Sequence, residues 1–130
     1  MKSTRGFTTI ELLIVVAILA AASVIFFIQK NNIETAGRDD ARRTSINALY
    51  YSLEEVYAKE NKSYPRTLTT KNLPSVDPAL FADPNGVNIG ESASDFRYDP
   101  TDCTGDSCKS YTLRTSLEQE DDYIKTNRNN

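Results

Sequence analysis

The sequence contains no histidine and no tryptophan, and only two of its 130 residues are cysteine. Histidine is the commonest general base and a frequent ligand of transition metals, so its absence argues against most catalytic and metal-binding arrangements. The sequence also shows no nucleophile paired with a base and no glycine-rich loop of the kind that cradles phosphates. We therefore expect a protein that is not an enzyme and that carries no cofactor and no metal ion.

An excess of positive charge is also missing. The formal net charge is −3, and residues 7–130 carry about −5 because Lys2 and Arg5 lie in the first six residues. Proteins that bind nucleic acid use clustered Lys and Arg to displace counterions from phosphates. The composition therefore gives no strong indication of a nucleic-acid partner.

The two cysteines lie close together, at Cys103 and Cys108, in the polar turn-forming run CTGDSC. This spacing predicts a local disulfide formed in an oxidising compartment, worth roughly 2 kcal/mol through chain entropy. The alternative is a pair of reduced thiols in a cytosolic protein. A zinc site would need two further ligands, and neither histidine nor another cysteine exists to supply them.

One long apolar run occupies residues 7–28, interrupted only by Thr8, Thr9, Glu11 and Ser23. A helix of this length spans about 33 Å, which matches the roughly 30 Å thickness of a bilayer core. Because Lys2 and Arg5 precede the run, the positive-inside rule places residues 1–6 in the cytoplasm and directs the rest outward.

Glu11 is the anomaly of this run, because a carboxylate costs on the order of 3 kcal/mol at the bilayer centre and intramembrane acids usually have a partner. The sequence offers no cation within reach on the same helix. Cleavage between Gly6 and Phe7 would create an amino group one helical turn away. In a staggered bundle, the Phe7 amine of one subunit would then meet Glu11 of another.

Residues 5–19 have the sequence RGFTTIELLIVVAIL. This segment resembles the type IV prepilin signature, also called the class III signal peptide. The resemblance implies that a prepilin peptidase removes the leader 1–6 after Gly6, that Phe7 is N-methylated, and that Glu11 docks subunits. It further implies a homo-oligomeric helical filament, built by the pilus assembly machinery of the inner membrane and held in that membrane before assembly.

Two readings of the apolar run compete with this one. The segment Ala20–Ser23 offers a small-residue site of the kind that ends an ordinary secretory signal peptide. The second alternative is a plain single-pass membrane anchor in which Glu11 reaches toward the lipid headgroups. The chain also departs from many pilins, because it has no proline between residues 7 and 64 to bend the helix.

A long helix is predicted over residues 7–62, with 7–28 as its membrane and filament-core part and 29–62 as its amphipathic part. Apolar residues recur there at spacings of three and four, namely Ile46, Leu49, Tyr50, Leu53, Val56 and Tyr57. The charged positions between them are expected to face solvent, at Arg38, Asp39, Asp40, Arg42, Arg43, Glu54, Glu55, Lys59 and Glu60. The helix should end near Asn61, because the run NKSYP is turn chemistry followed by proline.

Residues 63–130 are expected to form a small head, giving an α+β, pilin-like fold with a short antiparallel sheet. A helical turn is predicted at 77–82 and a β-turn at 83–86. Alternation around Phe96 and Tyr98, and around Tyr111 and Leu113, predicts two strands joined by the disulfide-bearing connection. A further edge strand is expected at 115–123 and a frayed tail at 124–130. Acidic side chains that invite a calcium site lie at Asp83, Asp95, Asp99, Asp102 and Asp106, without the spacing of a known calcium loop.

The resemblance implies a structural subunit of an extracellular type IV pilus that serves adhesion, twitching motility or DNA uptake. A pseudopilin of a type II secretion system is the first alternative. A membrane-anchored extracellular binding module is the second.

Overall fold

The computed structural model describes residues 6–128, so residues 1–5 of the predicted leader lie outside the described residues. The chain forms two compact units, and the second begins at Ala36. The architecture is α+β, with one long N-terminal helix and a small antiparallel sheet of four strands against which it packs.

The long helix consists of α1 (Thr9–Ser52), a π-helical turn (Leu53–Tyr57) and α2 (Ala58–Asn61). Its end matches the prediction, since Lys62 turns into the left-handed conformation with φ 56° and donates its N–H to the carbonyl of Ala58 at 2.9 Å. The helix starts at Thr9, two residues later than predicted.

The π-helical turn changes which side chains face the head. Leu49 and Leu53 are fully buried, as the predicted stripe requires. Val56, predicted to be buried, is exposed, whereas Glu54, predicted to face solvent, is only 7% exposed. Both residues lie within this turn, where hydrogen bonds from i to i+5 widen the helix and change the angle between successive side chains. The prediction was wrong at these two positions because the stripe was projected on a regular α-helix.

The buried Glu54 carboxylate accepts hydrogen bonds from two tyrosine hydroxyls, Tyr111 at 2.8 Å and Tyr64 at 3.3 Å. Burial raises the pKa of Tyr64 to about 12, and the neighbouring Glu54 charge adds to that effect. Burial also raises the pKa of Tyr111, as does its hydrogen bond to Glu54. Both hydroxyls therefore stay protonated at neutral pH and act as donors to the carboxylate.

The sheet contains β1 (Tyr64–Pro65), β2 (Phe96–Thr104), β3 (Ser107–Thr115) and β4 (Tyr123–Thr126), all paired antiparallel. Strand β3 is central: β2 pairs along one side of it, and β1 and β4 pair along the other. The two predicted strands are thus confirmed as one hairpin.

The core of the head lies between the sheet and the helix. Phe96 and Leu113 are fully buried against the helical stripe, and the loop after β1 covers them with Leu73 and Phe81. The predicted turns in this loop are confirmed. A 3₁₀-helix spans Pro78–Phe81, and the N–H of Gly86 bonds the carbonyl of Asp83 at 2.9 Å.

The predicted edge strand at 115–123 is wrong, as is the predicted fraying of the tail through residue 128. Residues 116–122 form an irregular loop, and the strand begins at Tyr123. The tyrosine hydroxyl donates to Asn47 at 2.9 Å, and Arg128 forms an ion pair with Glu55 on the helix. The polar groups of residues 116–122 bind the helix rather than a neighbouring strand. The edge strand therefore begins later in the chain than predicted.

The predicted disulfide is present: Cys103 and Cys108 lie directly opposite each other in the β2–β3 register and are bonded. Replacing both with serine should lower the free energy of unfolding by roughly 2 kcal/mol, because the unfolded chain regains the entropy of an open loop. Urea denaturation of the full chain in detergent, followed by circular dichroism, measures this.

The matched control is the neighbouring cross-strand pair Thr101 and Ser110, whose hydroxyls are 2.6 Å apart on the exposed face. Replacing both with alanine should cost about 1 kcal/mol or less. Equal costs for the two double variants would contradict a stabilising role of the disulfide.

Candidate functional site

The apolar segment of the first unit has no protein partner within the described chain. Phe7 is 82% exposed, and the large apolar side chains that follow it as far as Ile28 are exposed as well. This helix is long and apolar enough to cross a membrane, and none of its most apolar stretch is buried. The segment is therefore not a core helix of its own chain, and something outside the chain must cover it.

The polar side chain in the middle of this segment is satisfied internally. The Ser23 hydroxyl donates to the carbonyl of Leu19 at 2.8 Å, one turn earlier. Backbone groups within a helix are paired along the helix, as a lipid environment demands. The surface of this segment is therefore apolar except at its N-terminal end.

That end is closed by a capping box formed by Thr8 and Glu11. The Thr8 hydroxyl accepts the N–H of Glu11 at 3.3 Å, and a Glu11 carboxylate oxygen accepts the N–H of Thr8 at 3.1 Å. The Thr8 carbonyl accepts the first helical hydrogen bond, from Leu12, at 3.2 Å. Thr8 is thus the N-cap, which explains why the helix begins at Thr9.

Thr8 is a site residue that the sequence analysis missed, although threonine followed three positions later by glutamate is a recognised helix-start pattern. The carboxylate of Glu11 does have neutral partners at the helix start, because Thr8 supplies two donors, N–H at 3.1 Å and O–H at 3.2 Å. Both donors are uncharged. Among residues 6–128, no cationic group forms an ion pair with Glu11, so its negative charge is not neutralised there.

Gly6 and Phe7 lie in non-helical chain directly before the cap, and both are exposed. With Thr8 and Glu11 they line one open pocket. The structure thus brings together all the residues predicted for processing and assembly. The other predicted pair, the disulfide, lies in the second unit.

The second unit holds a buried ion network centred on Arg42. Its guanidinium donates to Asp39 at 2.9 Å, to Glu118 at 2.8 Å and to Asp95 at 3.0 Å. Arg38 adds a two-pronged contact to Glu118 at 2.7 and 2.6 Å. Asp39 and Arg42 are buried, so the prediction of a solvated face for residues 38–43 is wrong at both positions.

Asp39 and Glu118 bind the 117–120 loop to the helix. Burial by itself raises the pKa of Asp39, but hydrogen bonds from the backbone N–H groups of Glu118 and Gln119, together with Arg42, hold it below its usual value. Hydrogen bonds from Arg38 and then Arg42 lower the pKa of Glu118 to about 2. Both carboxylates are therefore charged at neutral pH.

Asp83, one of the acids that suggested calcium, is used by the backbone instead. One oxygen accepts the N–H groups of Asn85 and Val87, and the other accepts the N–H of Asp95, each at 2.9 Å. Burial opposes ionisation, yet these three donors lower its pKa. This arrangement follows the tendency of turn aspartates to bond their own backbone.

The described part of the chain therefore has an exposed N-terminal site, at residues 6–11, and a head held together by charge and by a disulfide. The N-terminal site lies at the start of an unpartnered apolar surface and contains an acid. Comparison with protein-family models, with curated proteins and with solved structures finds no match for this chain.

Proposed function

We propose that this chain is the structural subunit of an extracellular type IV pilus filament, assembled through its apolar N-terminal helix. The observation that carries the proposal is the unpartnered apolar surface of residues 7–28. An acid, Glu11, lies near its start, four positions after Phe7. Adhesion, twitching motility or DNA uptake would be the use of such a filament.

The physical case begins with the apolar surface, which requires either lipid or other copies of the same helix. Each large apolar side chain buried from water is worth about 1.5–3 kcal/mol, so an unshielded segment is not stable in water. Transfer from lipid to a helix bundle gains little of this, because lipid tails are already apolar. Packing and polar pairs must therefore drive assembly and define its register.

Glu11 supplies the polar half of such a pair. Thr8 gives it hydrogen bonds but no opposite charge. A Phe7 amino group released by cleavage after Gly6 supplies that charge from a neighbouring subunit. Because the Phe7 amine of one subunit pairs with Glu11 of another, this pair then sets the axial offset between neighbouring subunits.

The test is the N-terminus of the chain in filaments sheared from the cell surface, determined by mass spectrometry. A chain that begins at methylated Phe7 supports the proposal. Intact Met1 in detergent-soluble monomers favours a membrane-anchored binding module. A chain that begins near Ser23, after the small residues, indicates a secretory signal peptide.

A processed chain that stays in the cell envelope, with no surface filament, favours the pseudopilin of a type II secretion system. A pseudopilin has the same N-terminal features as a pilin, but its polymer stays in the cell envelope. Electron microscopy of the sheared material separates the two.

A further inference from the structure

The end of the long helix carries an open cleft lined with positive charge. Its cationic side chains are Lys59, Lys62, Lys109 and Arg128, arranged around the buried Glu54. Lys59 and Arg128 are already paired with Glu55.

Two of these cations lack a partner of opposite charge. Lys62 and Lys109 are exposed, and neither forms an ion pair with any residue from 6 to 128. Lys62 is also held in place, since it is the left-handed cap of α2. The cleft thus presents two available positive charges.

The opposite charge lies on the loop before β4. Glu118 and Glu120 of this loop bind arginines of the helix. Asp121 and Asp122 follow them, are exposed, and form no ion pair within residues 6–128. The loop therefore ends in two available negative charges.

Strand β4 connects the two sites along one side of the head. Glu120 pairs with Arg43 at one end of it, and Arg128 pairs with Glu55 at the other. Arg43 and Glu55 are separated by about 18 Å of helix rise. Six residues of extended chain, from Asp122 to Arg128, give about 20 Å. At physiological salt the screening length is about 8 Å, so the two sites of one chain do not neutralise each other.

We propose that the cationic cleft of one copy receives the acidic loop of a second copy, at Asp121 and Asp122. The two patches are complementary and do not overlap, so the contact is head to tail and repeats from copy to copy. An open chain of subunits follows rather than a closed pair. This inference rests on the proposed filament function and assigns a contact between its heads.

Charge favours a protein loop over a phosphate polymer as the occupant. Nucleic-acid binders neutralise many phosphates with clustered cations, whereas this cleft has two unpaired lysines on a chain of net charge −3. Two lysines match two aspartates.

The test exchanges the charges in the full chain and measures the yield of sheared filament. Lys62→Glu with Lys109→Glu, or Asp121→Lys with Asp122→Lys, should each reduce yield about tenfold or more, because like charges then face each other. All four changes together should restore it. Lys71→Glu, at an exposed lysine outside the cleft, is the control and should assemble normally.

Cross-linking gives a second readout in otherwise unchanged filaments. The double variant Lys62→Cys with Asp122→Cys should produce a ladder of cross-linked dimers, trimers and longer species. A product that stops at the dimer, or no product, overturns the contact.

Normal yield from both charge reversals, or failure of the fourfold exchange to restore it, also overturns this contact. The proposed function would still stand if those filaments start at Phe7. Absence of filaments from the unmodified chain is a different result, and it removes the proposed function itself.

Discussion

Replacing Glu11 with glutamine is expected to reduce filament yield by about 100-fold while leaving cleavage after Gly6 intact. Glutamine keeps the oxygen that accepts the Thr8 N–H, so the capping box survives. It removes the charge that would meet the Phe7 amine of a neighbour. Leaving the ammonium of the neighbour without its counter-charge costs on the order of 3 kcal/mol, which corresponds to roughly a hundredfold change in the association constant.

Thr8→Ala is the matched variant, because it removes the capping hydroxyl and keeps the acid. It should cost about 1 kcal/mol of helix stability and leave assembly largely unchanged. Immunoblots of the sheared and membrane fractions, with mass spectrometry of the N-terminus, measure assembly and processing separately. Normal filaments from Glu11→Gln, with failure from Thr8→Ala, would show that Glu11 serves the helix start and not the contact between subunits.

Much of the architecture was predictable because it depends on local chemistry. The apolar run, the helix end at Asn61 and the β2–β3 hairpin each follow from neighbouring residues. The Cys103–Cys108 bond belongs to the same class, since its partners are separated by five positions.

The errors occurred where distant parts of the chain decide. Asp39 and Arg42 resemble a solvated face until Glu118, almost 80 residues away, is brought beside them. Glu54 lies in the π-helical turn, and tyrosines of the head donate to its buried carboxylate. A periodic pattern contains neither piece of information.

The ion network leads to the largest expected change in stability. Arg42→Met should lower the free energy of unfolding of the full chain by about 3 kcal/mol, because the buried Asp39 and the part-buried Asp95 and Glu118 lose the cation that they share. Arg43→Met is the matched control, since Arg43 is adjacent and pairs with the well-exposed Glu120. It should cost about 1 kcal/mol or less. Urea denaturation in detergent measures both.

The pH dependence of stability distinguishes this network from simple packing. Glu118 has a pKa of about 2 and that of Asp39 is also lowered, so in the folded chain both lose their charge at lower pH than when unfolded. Their contribution is complete above pH about 5.5, where the unfolded carboxyls are ionised, and is lost as pH falls through the unfolded pKa values toward 2. Arg42→Met removes one cause of both shifts, so its unfolding free energy should fall less steeply over that range than that of the unmodified chain. Parallel curves for the two proteins would mean that Arg42 stabilises the head through its packing and not through its charge.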